Sequence, residues 1–444
     1  MDRRAAGGER RAGEGFSRSP LAARCSLAAL AAVQLWLAQR YFGFLTGDEV
    51  EVLGEAFRRA RGFAYAPWEI RNLLVPDALV APFVWLAGWI GFDNPAEMIF
   101  AATLPFIALT AATLWLVYRM GGILPAALVA THWIPLGFGS TAYPRTFATC
   151  CVVAAVFVVE RWPFLAGALA GLAFADRFSE IVFVIPLIVI ARRRLPVVLG
   201  AMVTVGLAGL YDWITWGAPF HSFMAFARLT VLEPDFASRV KVQAPWWYLA
   251  NLTRWLAPTV LPALWMARRH RLWGFVLVPL AAFSLIRHKE LRYLQALIPF
   301  VMLIAASGLV ILWRRHRGAA IALLALSVAW HLYGMRYFAR KSQPAVMAAR
   351  ELGADARTRI VVLSQMWAFG DRLYLGDQTQ VRDVGTPPRD LDAALEAADA
   401  AALWESDLDD PNVVAALRRQ GFAAVKTYRD GPAKAVVLFR LNML

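Results

Sequence analysis

The sequence predicts a mainly α-helical protein that crosses a membrane many times and ends in a small soluble α/β domain. Hydrophobic residues make up 59% of the 444 residues, and they form runs longer than a soluble core helix needs. The net charge of +14 is uneven, because residues 1–339 carry 32 Lys and Arg against 18 Asp and Glu, whereas residues 340–444 carry 14 of each. The basic excess therefore belongs to the membrane part.

Arginine clusters separate the apolar runs and fix the predicted topology, because positively charged loops stay cytoplasmic. On that rule, residues 1–20 form a basic cytoplasmic tail, residues 21–338 a transmembrane domain of about 11 spans, and residues 339–444 an extracytoplasmic domain. Segment 77–92 has no cationic loop on either side, so we predict that it lies in-plane or is re-entrant. Membrane topology explains the clusters without nucleic-acid binding. They are Arg10-Arg11, Arg192–Arg194, Arg268–Arg271 and Arg314–Arg317.

Residues 339–444 have the pattern of a small α/β domain. Short apolar runs indicate strands, and amphipathic segments between them indicate helices. The predicted strands are Arg359–Leu363, Ala400–Trp404 and Ala435–Phe439, and the predicted helices lie near Leu391–Ala398 and Pro411–Arg419.

Unusual polar residues fall on the predicted outer face, whereas the inner face collects only arginine and histidine. This segregation favours an extracytoplasmic active site with residues 45–76 as its first outer loop. Asp48 and Glu49 in this loop have two interpretations. Thr46-x-x-Glu49 and Asp48-x-x-Glu51 both fit a helix capping box. Alternatively, a carboxylate at the membrane–water boundary acts as a general base toward an acceptor hydroxyl.

Residues 288–293 interrupt an apolar stretch with a cluster of charges. A charged side chain at mid-bilayer costs roughly 2.5–3.5 kcal/mol, so this cluster lies at a membrane face or lines a wet cavity. Five outer-face cations are natural partners of a phosphate, which matches the planar fork of arginine. Anchoring to lipid headgroups is the alternative for each of them. They are Arg145, Arg177, His288, Lys289 and Arg292.

Two other features have weaker functional interpretations. Trp246 and Trp247 follow Pro245 and are typical of an aromatic belt at the interface, with stacking on a sugar as the alternative. The three cysteines lie in apolar runs and indicate neither a disulfide framework nor a metal site. We expect no metal and no cofactor, and no nucleotide-binding glycine pattern is present.

Six motifs in order over residues 45–300 resemble the polyprenyl-phosphate-mannose-dependent mannosyltransferases of glycosyltransferase family 22, within the GT-C superfamily. The acidic pair of that family, usually His-Pro-Asp-Glu, here reads Thr-Gly-Asp-Glu. The motifs are Thr46–Glu49, Trp68-Glu69-Ile70-Arg71, Tyr143-Pro144-Arg145-Thr146, Asp212 to Gly217 with Phe223 and Phe226, Pro245-Trp246-Trp247-Tyr248, and His288-Lys289-Glu290-Leu291-Arg292-Tyr293.

The resemblance implies a GT-C-like fold and an inverting transfer of mannose from a polyprenyl-phosphate-linked donor to a glycolipid or glycan acceptor. It implies that Asp48 is the base, that Glu49 and Glu69 position the acceptor or the base, and that the five cations stabilise the leaving phosphate. It also implies that the acceptor or the sugar is bound by Glu69, Arg71, Asp212, Trp246 and Trp247. The enzyme would be a multi-pass protein among membrane lipids, in a bacterial-type inner or plasma membrane or in the ER membrane.

Two other functions remain open from the sequence. A lipid or sugar-lipid transporter would also place charges in a membrane cavity, although transporters often show internal repeats and midplane polar residues. A scaffold whose C-terminal domain binds partners would leave the outer loops inert.

Overall fold

The computed structural model describes residues 20–40, 47–232, 242–341 and 343–442. The chain divides into two compact units, which are described separately. Unit 1 comprises Met1–Leu35, Trp68–Val75 and Pro105–Met335, and unit 2 comprises Trp36–Pro67, Pro76–Leu104 and Arg336–Leu444. The predicted basic tail, residues 1–20, lies outside the described residues except for Pro20.

Several helices are long and apolar enough to cross a membrane by length and composition. Four candidates are found among the described residues: Pro95–Gly121, Arg194–Trp216, Ile298–Arg315 and Arg317–Ala354, the last beginning with the helix Arg317–Gly334. Shorter apolar helices are Arg145–Val158, Pro163–Asp176, Phe178–Ile190 and Arg271–Leu285. The chain is therefore an integral membrane protein, and the number of its spans stays a prediction.

The remaining helices of the membrane part are short. They are Ile123–Thr131, Trp133–Phe138, His221–Ala227, Trp247–Ala250, Leu252–Trp255 and Leu261–Met266. Val184–Ile190 and Gly274–Leu285 are the α-helical parts of Phe178–Ile190 and Arg271–Leu285, and the longer Pro20–Arg40 is the first helix among the described residues. Helical turns of 3-10 type occupy Phe178–Phe183, Pro258–Val260, Arg271–Trp273 and Leu291–Leu294, and wider π turns occupy Pro76–Val80 and Arg228–Leu232.

Two apolar runs of the sequence, residues 123–139 and 249–266, do not form continuous helices. The run 123–139 divides at His132, whose Nδ1 accepts a hydrogen bond of 3.2 Å from the Ile134 N–H and caps the following helix. The run 249–266 consists of short helical pieces. Pro258 and Pro262 lie within it, and each removes an N–H that a continuous helix needs.

Close helix packing in unit 1 depends on small residues. Pro163–Asp176 packs against Arg194–Trp216 with Gly167 over the Val197 carbonyl and Gly200 over the Phe164 carbonyl. A Cβ at either glycine would overlap that backbone, so the two helices can approach only with glycine at these positions. The apolar helix Ile298–Arg315 is buried over residues 298–306 and becomes more exposed toward its far end.

Unit 2 contains the acidic helix, Gly47–Arg61, which packs against the turn Pro76–Val80 and the helix Ala81–Trp89. Its first turn carries Asp48 and Glu49 and its last turn carries arginines, a distribution that matches the helix dipole. Arg59 pairs with Asp77 at 2.6 Å and joins the acidic helix to the following turn. Residues 76–89 would extend about 20 Å, short of a hydrocarbon core of about 30 Å.

The C-terminal α/β domain contains a five-stranded sheet. Its strands are β1 Ile360–Leu363, β2 Gln380–Asp383, β3 Ala400–Trp404, β4 Phe422–Tyr428 and β5 Val436–Leu441, and its helices are Gln343–Ala354, Met366–Phe369, Leu391–Leu395 and Pro411–Arg419. The strand order is β2-β1-β3-β5-β4. Strands β1, β2 and β3 are parallel, and β5 runs antiparallel to β3 and β4.

The α/β domain confirms the predicted sheet in its centre and differs at its edges. β1, β3 and β5 coincide with the three predicted strands. β2 and β4 were not predicted. Both are edge strands, and they carry polar residues such as Arg382 and Lys426 where a buried strand would carry apolar ones. The core between sheet and helices includes Val362, Leu403 and Leu417.

Candidate active site

The acidic pair lies in the first turn of the acidic helix. Asp48 is half-buried and Glu49 is fully buried. The helix already includes Gly47, so Asp48 lies within its first turn, where a carboxylate offsets the dipole, and not at the N-cap that Asp48-x-x-Glu51 would require. Thr46 of the other proposed capping box lies outside the described residues.

The acidic helix buries further carboxylates beyond the pair. Glu51 and Glu55 are both buried on its inner side. Glu55 accepts two hydrogen bonds from Arg58, at 2.8 and 2.6 Å. Burial raises the pKa of Glu55, and the ion pair with Arg58 only partly offsets that rise. The helix therefore concentrates buried negative charge in unit 2.

Arg145 in unit 1 is a buried cation with a carboxylate partner. Its Nη1 forms an ion pair with Glu180, and both side chains are buried. Its Nη2 donates a 3.1 Å hydrogen bond to Ser179 Oγ, and its guanidinium lies 4.6 Å from the centre of the Tyr293 ring. Arg145 is thus held in place by ion pairing, hydrogen bonding and ring stacking.

The segment His288–Tyr293 brings the side chains of His288 and Arg292 to one carboxylate. Glu290 forms an ion pair with Arg292, and the Nε2 atom of His288 lies 3.7 Å from the second carboxylate oxygen. The Arg292 guanidinium also lies 5.4 Å from the centre of the Tyr143 ring and 5.7 Å from that of Tyr293. Tyr293 is therefore shared by Arg145 and Arg292.

Lys289 faces the protein interior. Its side chain is 2% exposed, and Nζ donates hydrogen bonds to the carbonyls of Ile286 and, at 3.1 Å, Gln243. The backbone of Gln243 also donates to the Arg287 carbonyl at 3.0 Å. Burial lowers the pKa of Lys289. In this conformation, Lys289 fastens the segment before Trp246 to the segment His288–Tyr293.

Asp176 connects a second group of cations. Its carboxylate lies in the electrostatic field of Arg177, Arg145 and Arg71, and it accepts a hydrogen bond from the Ala148 N–H. The charges of Arg71, Arg145 and Arg177 thus act on one carboxylate, and the Tyr293 ring connects Arg145 to Arg292. Unit 1 therefore brings together the cations that the sequence places in four separate segments.

Asp212 is buried and saturated with hydrogen bonds. One of its carboxylate oxygens accepts from Asn72 Nδ2 at 2.7 Å, and the other accepts from the N–H and the Oγ of Ser222 at 2.9 and 2.5 Å. Trp216 Nε1 donates to the Arg71 carbonyl at 3.2 Å. Asp212 therefore fixes the segment that carries Arg71.

Glu69 is more open than Asp212. Its carboxylate lies 3.3 Å from His221 Nε2, and its side chain is 59% exposed. Arg71 stacks 5.8 Å from the centre of the Trp68 ring. The Trp68–Arg71 motif thus presents an exposed carboxylate beside an arginine–tryptophan pair.

The aromatic loop, Pro245–Tyr248, has one exposed and one partly buried tryptophan. Trp246 is 67% exposed, whereas Trp247 contacts the buried Tyr248 edge to face at 5.2 Å. Tyr248 donates a 3.3 Å hydrogen bond to the Glu290 carbonyl. The loop is consequently joined to the segment His288–Tyr293, with Trp246 left at the surface.

Three carboxylates of the network were not predicted as site residues. Glu290 lies inside a quoted motif and Asp176 precedes a predicted cation, so each had a local signal. Glu180 lies 35 positions from its partner Arg145, and nothing in its sequence context indicates that pairing. Among the residues that the structure describes, no group of three His, Cys, Asp or Glu is placed to hold a metal ion.

A bundle of apolar helices with a network of buried and half-buried arginines defines a polytopic membrane protein whose site is suited to an anionic ligand. The profile of the Alg9-like mannosyltransferase family matches residues 122–375. The chain belongs to this family and is a membrane glycosyltransferase. The match includes the segment His288–Tyr293, Arg145, Asp212 and the aromatic loop, and it leaves Asp48 and Glu69 outside.

Solved structures show the same fold. The crystal structure of ArnT from Cupriavidus metallidurans bound to undecaprenyl phosphate is similar with a TM-score of 0.58 and 14% identity, covering 94% of this chain and 98% of that one. ArnT from the same organism in the apo state gives a TM-score of 0.55 and 13% identity, covering 93% and 97%. The predicted GT-C-like fold is confirmed. A comparison with curated proteins finds no match.

Proposed function

We propose that this chain transfers mannose, with inversion, from a polyprenyl-phosphate-linked donor to a glycolipid or glycan acceptor on the extracytoplasmic face of the membrane. The cation network of unit 1 is the observation that carries this proposal. The family supports the sugar, and the undecaprenyl phosphate bound to the similar ArnT structure supports a lipid phosphate as the donor's leaving group.

The charge of the network suits a phosphate that becomes more negative during transfer. The four arginines of the network, Arg71, Arg145, Arg177 and Arg292, outnumber its three carboxylates, Asp176, Glu180 and Glu290. A phosphodiester carries a single negative charge, whereas a departing monophosphate carries about −1.5 to −2 at neutral pH. Cations already fixed in place therefore stabilise the leaving group more than the bound donor, which lowers the barrier.

In the proposed transfer, one proton moves, one bond to the anomeric carbon forms and one bond to the same carbon breaks. We propose that Asp48 accepts the proton of the acceptor hydroxyl while the hydroxyl oxygen forms a bond to the anomeric carbon. The bond between that carbon and the lipid phosphate oxygen breaks, and its electron pair leaves with the phosphate. Attack from the opposite side inverts the anomeric centre. Glu49 positions the base, and Glu69 positions the acceptor.

The other predicted binding residues have proposed roles that follow from their contacts. Asp212 positions Arg71 through Asn72, and Trp246 offers an exposed face for a sugar ring or a lipid headgroup. His288 and Arg292 act on the donor phosphate from either side of Glu290, and Lys289 maintains the loop that carries them.

A transfer assay tests this function. The full chain, reconstituted in lipid vesicles, is incubated with radiolabelled polyprenyl-phosphate-mannose and extracted glycolipids, with polyprenyl-phosphate-glucose as the competing donor. We expect label to pass to a glycolipid, to be displaced poorly by the glucose donor, and to have the anomeric configuration opposite to that of the donor. Movement of intact donor across the vesicle membrane without transfer would instead identify a transporter.

A further inference from the structure

The C-terminal α/β domain contacts the acidic helix through the segment of residues 365–372. Trp367 lies in the helix Met366–Phe369, which packs against the acidic helix within unit 2. A Cβ built on Gly47 would lie 3.4 Å from Cδ2 and 3.5 Å from Cγ of the Trp367 ring. The indole therefore covers the backbone of the residue that immediately precedes Asp48.

The same segment also contacts the chain beyond the acidic helix. Arg372 Nη2 donates a hydrogen bond to the Ala64 carbonyl, and its guanidinium lies 5.6 Å from the centre of the Phe63 ring. Phe63 in turn packs edge to face on Phe57 of the acidic helix, at 6.2 Å. Trp367 and Arg372 thus restrain the acidic helix at its beginning and the segment just past its end.

The α/β domain holds this segment in an unusual backbone conformation. Gln365 and Asp371 have φ values of 72° and 51°, in the left-handed region that side chains other than glycine rarely adopt. Such a conformation persists only when the surroundings enforce it. The Gln365 N–H donates to Asp383 Oδ1 at 3.0 Å, at the end of β2. The segment is therefore fixed to the sheet.

Trp367 and Phe369 leave the short helix on opposite sides, because successive helical residues turn by about 100°. Phe369 is fully buried and packs 5.8 Å from the ring of Trp404 at the end of β3. Trp367 is only partly buried. One side chain anchors the segment in the domain core, and the other reaches the acidic helix.

We propose that Trp367 is a positioning residue for Asp48, and that the C-terminal α/β domain serves the transfer by fixing the orientation of the acidic helix. This inference rests on the proposed function, because it assigns to Trp367 the task of holding the proposed base. Misplacing a reacting group by about 1 Å can cost on the order of 10²-fold in rate. Loss of the indole therefore reduces turnover without weakening the donor phosphate contacts.

A double-mutant cycle on the full chain tests the inference. We expect Trp367→Ala to lower kcat about 10-fold with little change in the KM for the donor, and Trp367→Phe to restore most of the turnover. In an Asp48→Asn background, Trp367→Ala should have almost no further effect, because residues that act as a unit are non-additive. Arg372→Ala should resemble Trp367→Ala, whereas Arg419→Ala, which removes an exposed ion pair to Asp392, should retain full turnover.

Three outcomes overturn the inference and separate it from the proposed function. Unchanged turnover in Trp367→Ala removes Trp367 from the mechanism. A Trp367→Ala loss that multiplies the loss of Asp48→Asn means that Trp367 acts independently of Asp48. Full activity of Asp48→Asn removes the proposed base, and the inference fails with it. If Trp367→Ala misfolds, the turnover of Trp367→Phe still tests the role of Trp367, because phenylalanine retains an aromatic ring at this position.

Discussion

Arg145 and Glu180 form an ion pair in which both side chains are buried. Charges in such a position need each other, because desolvation makes a lone buried charge costly. The pair explains how an arginine can be held rigidly beside Tyr293 and the other cations. It also means that the net charge available to a phosphate is set by the whole network and by no single arginine.

Removing the carboxylate of Glu180 should destabilise the protein strongly. Glu180→Gln leaves Arg145 buried without its counter-charge, which costs roughly 3–5 kcal/mol. Glu160 provides a matched control, because its ion pair with Arg271 is exposed and contributes only about 0–1 kcal/mol. Thermal unfolding in detergent should show a large fall in Tm for Glu180→Gln and almost none for Glu160→Gln. Equal shifts would contradict the buried pairing.

Arg292 should not be replaceable by lysine if it acts on the donor phosphate. Lysine retains the charge but loses the planar fork that contacts Glu290 and stacks on two tyrosines. We expect the donor concentration for half-maximal transfer to rise several-fold, or turnover to fall by a similar factor, with expression unchanged. Arg254→Lys at an exposed position should behave as wild type. Indistinguishable donor kinetics in Arg292→Lys would return Arg292 to lipid anchoring.

Asp212 should act through its hydrogen bonds. Asp212→Asn places an amide among three donors, so at least one of Asn72 and Ser222 loses its acceptor. An unsatisfied buried donor costs about 1–3 kcal/mol. We expect a lower Tm and reduced turnover together. Glu69→Gln, at an exposed carboxylate, should change activity with no change in Tm, and a Tm loss there would contradict the distinction.

The membrane sidedness can be tested by cysteine labelling in a background lacking Cys25, Cys150 and Cys151. The positive-inside rule places His316 in the cytoplasm and Asp410 outside. An impermeant maleimide added to intact cells should therefore modify Asp410→Cys and spare His316→Cys. The reverse pattern would invert the topology, and labelling of both would show that the span count is wrong.

Sequence patterns predicted the fold best where the hydrophobic pattern along the chain is uninterrupted. Unbroken apolar runs gave continuous helices such as Pro95–Gly121 and Arg194–Trp216. The run 249–266 failed because proline interrupts it, and strand β2 was missed because an edge strand does not need an apolar pattern.

The candidate site could be predicted residue by residue but not in its connections. Motifs indicated Arg145, Arg292 and Asp212, since each lies in a recognisable segment. Pairing between Arg145 and Glu180, or between Asp212 and Asn72, depends on helix packing across long sequence separations. The same limit applies to Trp367, which has no local signal and becomes informative only through its position beside Gly47.

Transfer by Asp48→Asn tests the central claim most directly. Asparagine keeps the size and the hydrogen-bonding capacity of the helix start while it removes basicity. In vesicles supplied with radiolabelled polyprenyl-phosphate-mannose and extracted glycolipids, we predict that the variant inserts normally and that transfer falls by about 10²-fold or more. Near-normal transfer by the asparagine variant would contradict the assignment of Asp48 as the general base.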